Sequence, residues 1–211
     1  MKKILLYGDS ITDMGRDRNI AAGNVFANGK CYGLVIEAEL SREDPTKYLI
    51  INRGVGGDRI VDLYARIKKD VWNEKPDVFS ILIGINDIWH EVGWQNGVDI
   101  VRYEKIYRML IEDTKKVLPE VKFMLLEPFV LKGTATEEKF DEFNEIRKYA
   151  KVVEKLAKEY GAYFVPLQKI FDEKSEKYGV KPYLYDGVHP NTAGATLIAD
   201  EWLKVFKTVG V

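Results

Sequence analysis

The chain has one cysteine, Cys31, among its 211 residues. A single cysteine excludes an internal disulfide and a zinc site built from several cysteines. No stretch approaches the roughly 20 apolar residues that a membrane-spanning helix needs. The apolar run at residues 4–7, which follows the amino-terminal lysines, is too short for the core of a secretory signal. We therefore expect a cytoplasmic protein that does not enter a membrane.

The chain also lacks an excess of charge of either sign. Its 33 acidic and 32 basic residues leave a formal net charge of −1, so we expect neither nucleic acid nor an anionic membrane as a partner. With 46% apolar and 31% charged residues, the composition is that of a folded globular protein. We predict one domain spanning residues 1–211. The sequence leaves the oligomeric state open, a homo-oligomer included.

Short β-rich runs alternate with segments of helical periodicity along the whole chain. The predicted strands are residues 3–7, 48–52, 78–83, 121–126 and 163–166. The predicted helices are residues 58–71 with Asp58 as N-cap, 100–117, 140–160, and a last helix from Pro190 to about 206. This alternation predicts an α/β fold, in which helices cover both faces of a parallel sheet.

Four segments rich in glycine and polar residues each follow a predicted strand or precede a predicted helix. They are residues 8–12, 52–58, 84–87 and 186–190. Taken singly, each has an ordinary interpretation: a turn for Gly-Asp-Ser, a helix cap for Asn86-Asp87. The glycines at 54, 56 and 57 break the Gly-x-Gly-x-x-Gly spacing of a dinucleotide loop and also suit a turn.

Together the four segments contain every part of a serine acyl-transfer site. The chain has only four serines and two histidines, and Ser10 follows the first strand, where α/β sheets bind ligands. Asp186 and His189 are three residues apart, so the carboxylate can hold one ring nitrogen while the other faces Ser10. The amide of Asn86 and the backbone N–H of Gly57 suit an oxyanion.

The same segments resemble the four conserved blocks of the SGNH (GDSL) hydrolases. The matching residues are Gly8-Asp9-Ser10, Gly57, Gly84-x-Asn86-Asp87 and Asp186-x-x-His189. Within this superfamily, the chain resembles the intracellular acetylxylan esterase branch, and the segments that carry this resemblance are residues 8–16, 75–89, 127–129 and 186–190. It implies a three-layer α/β/α sandwich with a five-stranded parallel sheet, flavodoxin-like in type.

The resemblance also implies roles for the site residues: Ser10 as nucleophile, His189 as base, Asp186 as its orienting partner, and no cofactor. The implied oxyanion donors are the N–H groups of Ser10 and Gly57, with Gly56 as the alternative glycine, and the Asn86 side chain.

The resemblance implies removal of O-acetyl groups from xylo-oligosaccharides or similar small carbohydrate esters. One alternative is a lysophospholipase or thioesterase of the same superfamily, which would need a long apolar groove. The polar segments 91–99 and 132–138 argue against such a groove. A second alternative is a sugar-binding domain without catalysis, but that predicts a missing triad member, and all three are present.

Several further residues are candidates for the rim of the site. We expect Trp89 and Tyr185 to contact a sugar ring, because aromatic faces suit such rings. Asp9 is a candidate for substrate binding and for fixing the turn after the first strand. His90 competes with His189 as base, but no aspartate lies three residues before it. Asp9 and Asp13 are too few for a metal site, so we predict no metal.

Overall fold

In the computed structural model, which describes all 211 residues, five parallel strands form one sheet in the order β2-β1-β3-β4-β5. The strands are β1 Lys2–Gly8, β2 Tyr48–Asn52, β3 Val78–Leu82, β4 Lys122–Leu126 and β5 Tyr163–Val165. Every residue of β3 is buried, as expected for a central strand covered on both faces. The predicted α/β sandwich with a flavodoxin-like sheet is confirmed.

Two groups of helices cover the two faces of the sheet. The helices are α1 Ser10–Asp13, α2 Tyr32–Glu43, α3 Ile60–Ile67, α4 Ile85–Trp94, α5 Ile100–Val117, α6 Phe140–Phe143, α7 Ile146–Tyr160, α8 Gln168–Tyr178 and α9 Thr192–Phe206. Helices α2, α8 and α9 pack together on one face, and α3, α5 and α7 pack on the other. The short α1 follows β1 directly, and the longer α4 follows β3. The first turns of these two helices lie at the edge of the sheet that carries the site. No helix is long and apolar enough to cross a membrane.

The core is one connected cluster of 52 buried residues that draws on all five strands. Trp202 of α9 shows how a helix is fixed to the sheet. Its ring is fully buried and stacks on Phe206 with centroids 4.6 Å apart. Its Nε1 donates a hydrogen bond of 2.9 Å to Ser80 Oγ in β3. The buried indole N–H is therefore satisfied inside the core.

The predicted N-cap of the helix at residues 58–71 is wrong. The helix begins at Ile60, Arg59 is the N-cap, and the last part, Lys68–Trp72, is a π-helical turn. Asp58 does not cap, because its carboxylate forms a salt bridge of 2.7 Å with Arg66. A tertiary contact has thus replaced the local one that the sequence indicates.

Two other helix predictions need correction. The predicted helix at 140–160 is interrupted between α6 and α7, where the N–H groups of Glu145 and Arg147 bond three residues back instead of four. The Asn144 side chain takes part, because its Oδ1 accepts from Arg147 Nε at 2.8 Å. Pro190 does not begin the last helix: it bridges to Leu184, and α9 starts at Thr192.

Candidate active site

Ser10 is the first residue of α1, directly after the carboxyl end of β1. Asp9 caps this helix, because its Oδ1 accepts the N–H of Ile11 at 2.9 Å. Helix α4 follows β3 in a similar way, and Asn86 lies in its first turn. Since β1 and β3 are adjacent parallel strands, both residues lie at the edge of the sheet where open α/β sheets bind ligands.

A chain of hydrogen bonds connects Ser10 with the far end of the sequence. Ser10 Oγ lies 2.8 Å from His189 Nε2, and His189 Nδ1 lies 2.7 Å from Asp186 Oδ2. Asp186 Oδ1 accepts the backbone N–H groups of Val188 and His189 at 2.9 and 2.8 Å. Burial alone would raise the pKa of Asp186, but the bonds from the His189 ring and from the backbone hold this pKa below its usual value. An ionised Asp186 favours the proton on Nδ1, which leaves Nε2 as an acceptor for the Ser10 hydroxyl.

The loop that carries His189 has a closely fixed backbone. Leu184 and Pro190 form an antiparallel bridge across its base. At its tip, Gly187 has a φ of +101°, and a Cβ there would lie 2.6 Å from the Leu131 carbonyl oxygen. Only glycine fits both the conformation and the space. The imidazole is therefore presented from a rigid hairpin.

The two adjacent glycines of the second segment differ in what their N–H groups contact. Gly56 N–H donates to Asp13 Oδ2 at 3.1 Å, so it is already occupied. Gly57 N–H has no protein acceptor, and neither has the N–H of Ser10. Gly57 also has a φ of +85° and open space where a side chain would lie. The geometry thus favours Gly57 over Gly56 as a donor to a bound group.

The Asn86 side chain is held in one orientation. It is 6% exposed, and its Nδ2 donates to the carbonyl oxygen of Asp58 at 3.1 Å. An amide nitrogen carries two hydrogens, so one remains for a ligand. The bond also ties α4 to the loop that carries Gly57.

Arg66 of α3 joins three of the segments that build this edge. Its Nε binds Asp58 Oδ2 at 2.7 Å, its Nη1 binds the Arg53 carbonyl at 2.8 Å, and its Nη2 reaches the Gly8 carbonyl at 3.3 Å. The guanidinium lies 4.3 Å from the centre of the Tyr7 ring. Sequence reasoning missed this residue, because an arginine in an amphipathic helix carries no local sign of the carbonyls it contacts.

Two buried carboxyl groups lie beneath the site. Asp9 is 1% exposed, and its Oδ1 bond to the N–H of Ile11 agrees with the expected role in fixing the turn; its contact with substrate stays a prediction. Its Oδ2 has no partner, and burial raises the pKa of Asp9 to about 7. Asp87 accepts the N–H of Ile60 with both oxygens, and burial raises its pKa well above the usual value. No group of three or more His, Cys, Asp and Glu side chains is arranged to hold a metal ion.

The two predicted rim aromatics flank the imidazole. The Tyr185 ring stacks on the His189 ring with centroids 5.5 Å apart and an angle of 14°. Trp89 lies on the α4 side, 5.9 Å from the same ring. Tyr185 is 48% exposed and so offers a face to a ligand.

The competing histidine, His90, packs edge-on against Trp94, and no hydrogen bond connects it to Ser10, whose Oγ contacts His189 instead.

An open cavity of about 830 Å³ lies directly over Ser10 and His189. Most of its wall comes from the turn after α1, and only two lining residues, Met14 and Tyr185, are hydrophobic. The rest of the lining is polar or small: Ser10, Asp13, Gly15, Arg16, Asp17, Arg18, Asn19, Gly56 and His189. The cavity therefore suits a polar ligand of about the size of a small oligosaccharide. Sequence reasoning did not predict that residues 13–19 form this wall.

Comparison with known proteins gives consistent results. The GDSL-like lipase/acylhydrolase family matches residues 6–197. An acetylxylan esterase of Geobacillus stearothermophilus is 32% identical over 208 residues, which cover 96% of this chain and 93% of that protein. Its crystal structure superposes with a TM-score of 0.86, covering 100% of this chain and 94% of the other at 32% identity. A Parabacteroides merdae protein assigned to the GDSL-like lipases is 34% identical, with a TM-score of 0.87 over 98% of this chain and 95% of that one.

Proposed function

The chain belongs to the GDSL-like lipase/acylhydrolase family and is homologous to a carboxylic ester hydrolase, and from this premise we propose that it removes O-acetyl groups from acetylated xylo-oligosaccharides or similar small carbohydrate esters. The observation that carries the proposal is the continuous hydrogen-bond chain from Ser10 through His189 to Asp186. Next to it lie two backbone N–H groups without a protein acceptor, those of Ser10 and Gly57.

The proposed first step forms an acyl-enzyme. His189 Nε2 takes the proton of the Ser10 hydroxyl while Oγ attacks the carbonyl carbon of the acetyl ester. The negative charge that develops on the carbonyl oxygen is stabilised by the N–H groups of Ser10 and Gly57 and by the Asn86 amide. The bond to the sugar oxygen then breaks, and His189 gives its proton to the leaving alcohol. Asp186 stabilises the imidazolium throughout.

The second step releases acetate. Water gives a proton to His189 Nε2 and attacks the acetyl-serine carbonyl, with the oxyanion on the same three donors. The bond to Ser10 Oγ breaks, and the proton returns from His189 to that oxygen. The enzyme regains its starting state without a cofactor.

The cavity supports a sugar ester over a lipid ester. The lysophospholipase or thioesterase alternative needs an apolar channel for a long acyl chain, and the wall around Ser10 is mostly polar. Tyr185 stacks on His189 with one face, and its exposed opposite face suits the flat side of a sugar ring. Among the similar structures, the Geobacillus esterase is described as an acetyl-xylooligosaccharide esterase.

The test compares acyl groups and acceptors. We expect the protein to release acetate from acetylated xylo-oligosaccharides and to hydrolyse 4-nitrophenyl acetate. We also expect kcat/KM to fall for nitrophenyl esters of eight or more carbons, and Ser10→Ala to remove nearly all activity. A preference for the long chains would favour the lipase alternative, and Ser10→Ala with more than about a tenth of the activity would exclude this serine as nucleophile.

Asn86→Ala tests the proposed oxyanion site by itself. We expect kcat for 4-nitrophenyl acetate to fall by about 10²–10³-fold with little change in KM, because the amide would act on the transition state. Asn73→Ala, at an exposed position after the π turn, is the control that leaves both constants unchanged. A rise in KM at constant kcat would assign Asn86 to substrate binding.

A further inference from the structure

Arg16 differs from every other arginine in the chain. The protein has nine arginines, and eight of them form a salt bridge with an aspartate or glutamate: Arg18, Arg42, Arg53, Arg59, Arg66, Arg102, Arg108 and Arg147. Arg16 has no carboxylate within salt-bridge distance. It is also half-buried, so its charge is partly withdrawn from water without a salt bridge to replace the lost hydration.

The guanidinium of Arg16 is only partly used by the fold. Its Nε donates to the Gly54 carbonyl at 2.9 Å, which fixes the plane of the group. Its two terminal nitrogens donate to no protein atom. Burial lowers the pKa of Arg16, and the nearby cations Arg18 and Arg53 act in the same direction, although Asp13 opposes them. Arg16 thus carries its positive charge without an ion pair of its own.

This positive charge lies in the wall of the cavity that holds Ser10 and His189. Of the other charged residues in that wall, Asp13 and Arg18 neutralise each other at 2.6 Å. Asp17 is exposed, and its carboxylate accepts the backbone N–H of Asn19 at 2.8 Å. Arg16 is therefore the one half-buried charge of the wall that forms no salt bridge.

We propose that Arg16 binds a carboxylate of the substrate, so that the preferred substrate is an acetylated oligosaccharide that carries a uronic acid. This inference rests on the proposed deacetylation and specifies its substrate. Two terminal nitrogens in a fixed plane match the two oxygens of a carboxylate. A sugar hydroxyl could accept one hydrogen bond, but it would leave the charge of the guanidinium uncompensated.

The first experiment needs only the wild-type protein. We expect D-glucuronate to inhibit the hydrolysis of 4-nitrophenyl acetate competitively, at a concentration at least about tenfold below that needed for D-glucose, because a charge-assisted bond is worth one or two factors of ten in affinity. The difference should shrink between 0.05 and 0.5 M salt. Equal inhibition by the two sugars would overturn the proposal.

The second experiment compares acetate release from acetylated xylotriose with and without a glucuronic acid branch. We expect kcat/KM to be about 10-fold to 100-fold higher for the acidic substrate, and Arg16→Met to bring the ratio of kcat/KM between the acidic and the neutral substrate down to about one. Arg42→Met removes an exposed arginine that pairs with Glu39 on α2 and is the control for net charge. Arg16→Lys should keep part of the preference, since it retains the charge without the planar fork.

The outcomes separate this inference from the proposed function. Failure of the wild type to hydrolyse either acetylated oligosaccharide would contradict the proposed function itself. Hydrolysis of both at equal rates, or an equal loss on both in Arg16→Met, would leave the deacetylase intact and refute the carboxylate site. Should Arg16→Met fail to fold, the inhibition by D-glucuronate still decides the matter with the wild type.

Discussion

Asp9, the residue before Ser10, is a buried carboxyl group with one unpartnered oxygen. Its Oδ1 caps α1, but Oδ2 has no hydrogen bond. Asp87 is a second buried carboxyl group nearby, and its pKa is raised mainly by burial and further by the charge of Asp9. A charge on Asp9 at this depth is unfavourable. With its pKa at about 7, Asp9 holds its proton in the folded protein at pH values where the unfolded chain has lost it.

This difference in proton binding predicts how stability changes with pH. Between about pH 4 and pH 7 the folded state binds one proton more than the unfolded state at Asp9, so the free energy of unfolding falls as pH rises, by at most about 1.4 kcal/mol per unit. Asp9→Asn keeps a cap for Ile11 and cannot ionise. We therefore expect urea unfolding at pH 4.5, 6 and 7.5 to show a smaller decline for Asp9→Asn than for the wild type.

The control for this measurement is Asp141→Asn, at an exposed position in α6. It should reproduce the wild-type decline, since this exposed side chain forms no salt bridge or side-chain hydrogen bond that the substitution would remove. Parallel curves for Asp9→Asn and the wild type would contradict the assignment of a protonated Asp9.

At the scale of elements, the site depends on loops that come from different strands and are held together by α3. Arg66 binds the carbonyls of Gly8 and Arg53 and the carboxylate of Asp58. Asn86 in turn donates to the Asp58 carbonyl. The spacing between the N–H of Ser10, the N–H of Gly57 and the Asn86 amide therefore depends on one guanidinium that does not itself face the cavity.

We expect Arg66→Met to lower kcat for 4-nitrophenyl acetate by about 10²-fold with KM nearly unchanged, because small displacements of catalytic groups have effects of that size. Arg108→Met is a matched control. Arg66 pairs with Asp70 as well as Asp58, and Arg108 likewise binds two carboxylates, those of Glu104 and Glu159, and lies over the Tyr160 ring. It should lower thermal stability and leave kcat unchanged. Equal kcat values for the two variants would show that Arg66 acts only on stability.

The sequence predicts an element correctly where the local residue pattern determines its structure, and it fails where contacts with distant residues determine it. The predicted residues 48–52 coincide with β2, because a buried strand is a continuous apolar run between polar turns. The spacing of Asp186 and His189 likewise brings the two side chains within 2.7 Å on one hairpin. Asp58 instead pairs with Arg66, eight positions along the chain, and the buried Asp9 lines a small cavity with Leu82 of β3 and Pro128, which follows β4. Neither contact has a signature in the local sequence.

At the scale of the whole molecule, the sheet core and the site share their supports. Helix α9 follows directly after the hairpin that carries His189. Its Trp202 donates a hydrogen bond to Ser80 in β3, and β3 leads into helix α4, which carries Asn86. The buried cluster of 52 residues is continuous from β1 to α9. We therefore propose that residues 1–211 unfold as one cooperative unit, without a separately folding part.

Ser80→Ala tests this cooperativity, because it removes the acceptor of a buried indole N–H far from the cavity. Leaving Trp202 Nε1 unpaired costs about 1–3 kcal/mol. In one cooperative unit, that loss shifts the urea midpoints of far-ultraviolet circular dichroism, tryptophan fluorescence and esterase activity by the same amount, while kcat in the absence of urea stays at the wild-type value. If activity kept its wild-type midpoint while the fluorescence midpoint fell, the site and the α9 side of the core would unfold independently, and the single-unit proposal would be wrong.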